Sequence, residues 1–310
     1  FGNRTDTKNP ATGQLEAFPL CATSTACKTP NLHDSAHQPS FAYLPYIVSG
    51  DHYYLEEMQF WTMYNTFASN PGYRENVKGL FKKEQVRGQA WNMRSLSQAA
   101  YITPDADPLK AQFEFFLKSN LDWYNANYSN NANANRLGVL DGSGAVIYDA
   151  KLGVAPWQDD FFTAAIGMTN ELGFTAAKPL LDYKAKFPVG RINAAGVCWI
   201  DGAMYSMKVR PSTTSPLYAT MAEVYKANHT AEFLAMPCAG TTMATALNLR
   251  VGEMTGYSTM VTGYPANLQP ALAYSASSNA TGAASAWTLF AARPYKPNYG
   301  SGPQFAILPR

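Results

Sequence analysis

The segment PWQDDFFTAAIGMTNELG (Pro156–Gly173) reads as one helix from end to end. Pro156 stands at the first helical position, where its missing N–H is not needed. Asp159 and Asp160 fall in the first turn, where the helix dipole favours carboxylates; Phe162, Ile166 and Thr169 recur down one face, and Gly173 supplies the stop. The same period recurs outward from this segment. Upstream, Tyr54, Met58, Trp61 and Asn65 mark one face of a helix from Tyr53 to about residue 68. A second helix is expected from about Gly88 to Ile102, closed by Thr103-Pro104, and a third from near Pro108 to about Tyr128. Downstream, helices are expected near 175–186, 193–208, 216–227, 239–252, 255–275 and 282–292, followed by an extended tail from Tyr299.

These helices show no strand–helix–strand rhythm, so the pattern predicts an all-α fold of antiparallel helical hairpins. No fixed-period repeat marks a solenoid, which favours an α/α toroid, complete or incomplete, over residues 41–310. Residues 1–40, rich in Pro, Thr, Asn and Gly, read as an irregular N-terminal arm. Residues 130–155 form a long glycine-containing loop whose apolar stretch Ala145-Val146-Ile147-Tyr148 offers a place for a small hairpin. The chain opens on Phe1 rather than Met, and a removed leader or a longer precursor with a further N-terminal region is expected.

Of the 310 residues 46% are hydrophobic, including 19 Tyr, 16 Phe and 6 Trp, enough apolar area to offset the entropy of ordering the chain. The balance of 24 Lys plus Arg against 22 Asp plus Glu leaves a net charge of +2 and no basic run, which argues against a nucleic-acid partner. No apolar stretch approaches the roughly 18 residues of a membrane span. Only 15% of residues are charged while Asn, Ser, Thr, Tyr and Gly abound, a surface suited to a secreted, periplasmic or cell-surface protein. Cys21 and Cys27 lack metal-ligand spacing and are expected to form a local disulfide; Cys198 and Cys238, in apolar segments, are either a second bridge or two buried thiols. Asn3, Asn127, Asn228 and Asn279 begin Asn-x-Ser/Thr acceptor patterns.

Three stretches carry candidate chemistry. In RGQAWNMR (Arg87–Arg94) the i, i+4, i+7 spacing puts Arg87, Trp91 and Arg94 on one helix face beside Gln89. Guanidinium forks hold carboxylates and an indole stacks on a sugar ring, so this face suits an acidic saccharide. In APWQDDFF (Ala155–Phe162), Trp157 and Gln158 join two carboxylates, which as neighbours diverge by about 100° and cannot both face one site. In HDSAHQPS (His33–Ser40), His37 and Gln38 precede Tyr43 and Tyr46, a set able to support β-elimination on a uronate with an arginine that neutralises its carboxylate. Trp199 is a further stacking candidate.

The five residues Arg87-Gly88-Gln89-Ala90-Trp91 resemble the helix start of the unsaturated glucuronyl hydrolases, although Asn92-Met93-Arg94 departs from that family's usual continuation. The resemblance implies the six-hairpin α/α toroid, with aspartates at the toroid mouth as general acid and base; the toroidal polysaccharide lyases are the second family of this kind. Three functions follow as expectations. Asp159 or Asp160 hydrolyses glycosidic bonds of an acidic polysaccharide or oligosaccharide. Its partner is then Asp51, Glu56, Glu57 or Asp201, at about 5–5.5 Å for retention or about 6.5–9.5 Å for inversion. Alternatively His37 with Tyr43 or Tyr46 and Arg87 or Arg94 makes a lyase, or the chain is a non-catalytic carbohydrate-binding or assembly subunit. No cofactor is expected, and no metal, since no His-Glu-x-x-His or related spacing occurs.

Overall fold

The computed structural model describes residues 35–38, 40–67 and 72–310. The expected Cys21–Cys27 bridge and most of the N-terminal arm lie outside the described residues. Among those described, the chain is all-α. Its elements are α1 (Tyr43–Ser49), α2 (His52–Phe67), α3 (Val86–Ile102), α4 (Pro108–Tyr124), β1 (Gly153–Val154), α5 (Pro156–Glu171), α6 (Lys178–Asn193), β2 (Met207–Lys208), α7 (Met221–Ala227), α8 (Ala231–Leu234), α9 (Thr241–Ala246), α10 (Tyr264–Ser277) and α11 (Ala283–Ala291). β1 and β2 pair antiparallel, Gly153 opposite Lys208.

The helices expected from Tyr53, Gly88, Pro108 and Pro156 form within one or two residues of their expected starts. The helix expected over 193–208 does not. Ala194 turns extended (ψ 143°), Gly196 takes a left-handed φ of 79°, and a 3₁₀ turn at Trp199–Asp201 and strand β2 follow instead. The apolar residues that suggested a helix, Cys198, Ile200 and Ala203, are buried from irregular chain instead. The expected helices 239–252 and 255–275 shrink for a related reason: between α9 and α10 the backbone is left-handed at Asn248, Gly252, Gly256 and Tyr257.

The described residues divide into two compact units, those up to Lys82 with Ser95–Asn120, and Lys83–Arg94 with Leu121–Arg310. In the first, Leu55, Met58, Leu96, Ala99, Phe113, Phe116 and Leu117 are buried. Asn120 donates to the Gly79 and Phe116 carbonyls and accepts from the Phe81 N–H, so one amide closes the turn before α3 onto α4. Gln59 on α2 likewise donates to the Asp107 carboxylate (2.8 Å) at the start of α4.

In the second unit α5, α6, α10 and α11 pack together, burying Val189, Ile192, Leu268, Leu272 and Phe290 among others. α5 and α10 approach closely because Gly167 faces Tyr274, where a β-carbon would overlap the tyrosine Cβ and Cγ. Cys198 and Cys238 form a disulfide across 40 residues with Cα atoms 5.3 Å apart, resolving the open choice in favour of a bridge. The Asn228 side chain clamps β2, accepting from the Lys208 N–H and donating to the Lys208 and Val224 carbonyls.

Gly167→Ala gains about 1 kcal/mol of helix propensity but overpacks the α5–α10 contact by about 1–3 kcal/mol. Urea denaturation is therefore expected to show a net loss, and a gain in stability would refute the close approach. Closing a loop of this length removes denatured-state entropy amounting to about 4 kcal/mol. The Cys198→Ala/Cys238→Ala variant is expected to lose a large part of that in the same assay; an unchanged midpoint would show that the bridge does not constrain the unfolded chain.

Candidate functional site

α5 presents two different environments within its first turn. Asp159 and Asp160 point inward, and both are almost wholly buried. The Asp159 carboxylate meets the ammonium of Lys184, and Asp160 meets the guanidinium of Arg191, both cations on α6 and fully buried. Adjacent acids diverge by about 100°, and residues seven apart on a helix share a face two turns apart. Lys184 and Arg191 therefore reach the two acids from one stripe of α6. Each cation has a second duty: Lys184 Nζ donates to the Gly138 carbonyl (2.7 Å) and Arg191 Nη1 to the Gly202 carbonyl (2.6 Å). Burial pushes the Asp160 carboxyl up to about 7, against the pull of Arg191, and burial lowers the Lys184 ammonium against the pull of Asp159.

The neighbouring Trp157 and Gln158 belong to a different assembly. Gln158 is buried; its Oε1 accepts from the Arg87 N–H (3.3 Å) and its Nε2 donates to the Tyr148 hydroxyl (2.6 Å). The start of α3 and the end of the 130–155 loop are thus tied to α5 by one amide. The Arg87 guanidinium lies over the Trp157 ring, 5.3 Å from its centroid. Trp157 stacks with Tyr205 (6.3 Å) and Tyr264 (6.1 Å), Tyr148 meets Tyr205 edge-on (5.8 Å), and Tyr257 adjoins Tyr264 (6.2 Å). On the other side Phe161 contacts both Trp157 and Trp91, and Arg94 lies over Trp91 at 4.5 Å. Desolvation lowers the Arg94 guanidinium to about 10.

The result is a platform of rings open to solvent at Tyr205 (54% exposed) and Tyr257 (67%). Arg87 Nε and Trp157 Nε1 are buried donors with no hydrogen-bond acceptor among the described residues, a rare condition for buried polar atoms. Burial raises the Tyr148 phenol, with Tyr205 adding to the rise and Arg87 opposing it. The backbone just after Tyr148 is left-handed at three successive non-glycine residues, Asp149 (φ 50°), Ala150 (55°) and Lys151 (67°). The Asp149 carboxylate is exposed and accepts from Ser206 (3.1 Å).

The expected face of Arg87, Trp91 and Arg94 is therefore joined to Trp157 and Gln158. Gln89 is fully buried, donating to the Ser143 carbonyl and accepting from Tyr124, so its amide is used internally. Trp199 packs between two apolar clusters. Asp201 is buried against His229 (2.6 Å), whose ring sits between Tyr225 and Phe233. His37 (exposed), Gln38 (buried), Tyr43 and Tyr46 belong to the first unit, as do Asp51, Glu56 and Glu57. Tyr148, Tyr205, Tyr257 and Tyr264 were not among the sequence candidates; the only signal was the long loop before Tyr148.

Among the described residues no His, Cys, Asp or Glu group of three or more is arranged to hold a metal, and no helix is long and apolar enough to cross a membrane. Compared with protein-family models, curated proteins and solved structures, the chain matches none.

A carboxyl raised in the folded state keeps a proton that the unfolded chain loses from about pH 4 upward, so its contribution to stability falls as pH rises toward 7 and then levels. The stability difference between the native chain and Asp160→Asn, from urea midpoints at pH 4.5 to 8, is expected to shrink across that window. A difference that stays constant from pH 4.5 to 8 would mean that Arg191 holds the carboxyl ionised throughout.

Proposed function

We propose that this chain is an extracytoplasmic α/α-toroid enzyme that binds an acidic polysaccharide on the Arg87–Trp157–Tyr148 platform and cleaves it by β-elimination. The observation that carries the reading is the orientation of the first turn of α5: Asp159 and Asp160 are spent on buried cations, while Trp157 and Gln158 gather a guanidinium and phenols at the surface. That set matches elimination chemistry better than a pair of carboxyl groups across a cleft. The Cys198–Cys238 bridge supports an oxidising compartment.

In this reading Arg87 neutralises the uronate carboxylate, which acidifies the C5 proton, and the rings of Trp157, Tyr205 and Tyr264 stack on sugar faces. Asp149, exposed and adjacent to Tyr148, removes the C5 proton. The electron pair forms the C4–C5 double bond, the C4–O bond breaks, and the leaving oxygen takes the proton of Tyr148, whose raised phenol keeps that proton at neutral pH. The strained run from Asp149 to Lys151 fits a segment held for function.

Far-ultraviolet absorbance of the unsaturated uronate product tests this directly. A rise on intact acidic polysaccharides is expected, with Tyr148→Phe and Asp149→Asn each losing about 10²–10⁴-fold in kcat and Arg87→Ala acting mainly through KM. A fall in absorbance on pre-cleaved unsaturated oligosaccharides would replace elimination with hydrolysis. Saturable quenching of tryptophan fluorescence without turnover would leave a binding module.

A further inference from the structure

The first unit holds a separate pocket of about 250 Å³ between the segment leading into α1 and one face of α2. Phe41, Tyr53, Tyr54, Glu57, Met58 and Trp61 supply its chemistry. Positions 53, 57 and 61 repeat at i, i+4 and i+8, and 54 and 58 form the adjacent stripe, so helical spacing alone lines rings and a carboxylate along one wall. Tyr53 and Tyr54 meet edge to face, ring centroids 5.4 Å apart, and the Trp61 indole N–H donates to the Glu57 carboxylate (3.1 Å). None of the lining residues is basic. The nearest basic side chain along α2, His52, is turned to Glu56 (3.6 Å).

Four rings beside a carboxylate that has no cationic partner among the described residues form an environment that is negative on the ring faces, negative at Glu57 and apolar at Met58. A primary ammonium would lose hydration here that one half-buried carboxylate, already bonded to an indole, does not replace. A quaternary ammonium has no N–H donors and only weak hydration to lose; its methyl groups match the rings and its diffuse charge is attracted to their faces. The volume falls just below that of pockets for drug-sized ligands, roughly 300–1,000 Å³, which fits a small head group. We infer that the Tyr53–Glu57–Trp61 pocket is a cage for a quaternary ammonium group such as that of choline. The inference is independent of the reading of the second unit.

The full chain is titrated with tetramethylammonium and with choline at fixed ionic strength, and binding is read by Trp61-dependent fluorescence and by calorimetry. The uncharged isostere 3,3-dimethylbutan-1-ol runs in parallel. Saturable binding of the cations, at least tenfold tighter than of the alcohol, is expected. Tyr53→Leu and Glu57→Gln, both on the helix surface, are expected to weaken it about fivefold or more while circular dichroism stays unchanged. Cosedimentation with phosphatidylcholine vesicles, competed by free choline, would identify the lipid head group as the source. Choline binding without vesicle retention would identify a soluble cation, and both results support the cage. Equal affinity for the alcohol, or no saturable binding of any of these probes, overturns it.

Discussion

The contacts of Asp159 with Lys184 and of Asp160 with Arg191 set the geometry of the second unit. Four ionisable groups are removed from water there, at a desolvation cost that Coulomb attraction repays only when each group also has further partners. The further partners are what matter for the site. Lys184 reaches the Gly138 carbonyl and Arg191 the Gly202 carbonyl, so the cations that answer the acids of α5 also fix the two irregular segments leading to Tyr148 and Tyr205. Removing one member would strand a buried charge, which costs about 3–5 kcal/mol, and would release a loop at the same time. This is why acids next in sequence to Trp157 and Gln158 belong to the platform's support rather than to its surface.

The helices themselves were legible where local signals agree. Pro156 and the first-turn acids mark the start of α5, Thr103-Pro104 marks the end of α3, and the period through Tyr54, Met58 and Trp61 marks α2. How such helices pack against one another is encoded by no local period. The stretch over residues 193–208 misleads because burial alone, without a helix, also produces recurrent apolar residues. There a left-handed glycine and the Cys198–Cys238 bridge take over from helical hydrogen bonds.

The candidate site was half legible. Arg87, Trp91 and Arg94 follow from helical spacing, and Trp91 of that face contacts Phe161 in the N-terminal part of α5. The inward turn of Asp159 and Asp160 was not legible, since the cations that draw them in lie 25 and 31 residues further along the chain. Nothing in the acids' own neighbourhood distinguishes a catalytic carboxylate from a buried one. The four tyrosines come from a loop, an irregular segment, a turn and a helix start, and only tertiary structure assembles them.

The loop that delivers Tyr148 shows how such an assembly is kept rigid. Left-handed conformations at Asp149, Ala150 and Lys151 each cost on the order of 1–3 kcal/mol, and they persist only if the surroundings over-determine them. They do: Tyr148 and Gly153 exchange backbone hydrogen bonds across the turn, the Lys151 carbonyl accepts from the Arg210 guanidinium, and the Val209 N–H donates to Leu152. Gly153 admits no side chain, because a β-carbon would strike the Asp149 carboxylate and crowd the Met207 carbonyl of β2. The backbone restraints on the turn come from the β2 segment and from the turn itself, Gln158 of α5 holds the Tyr148 hydroxyl, and the stretch of chain around β2 carries Tyr205. The two phenols are therefore referenced to one another through the backbone pairing of Tyr148 with Gly153 and of Leu152 with Val209, reinforced by the Arg210 and Ser206 side chains. A misplacement of about 1 Å can cost a reaction 10²-fold, and a turn restrained in this way suits the proton-donor role proposed for Tyr148.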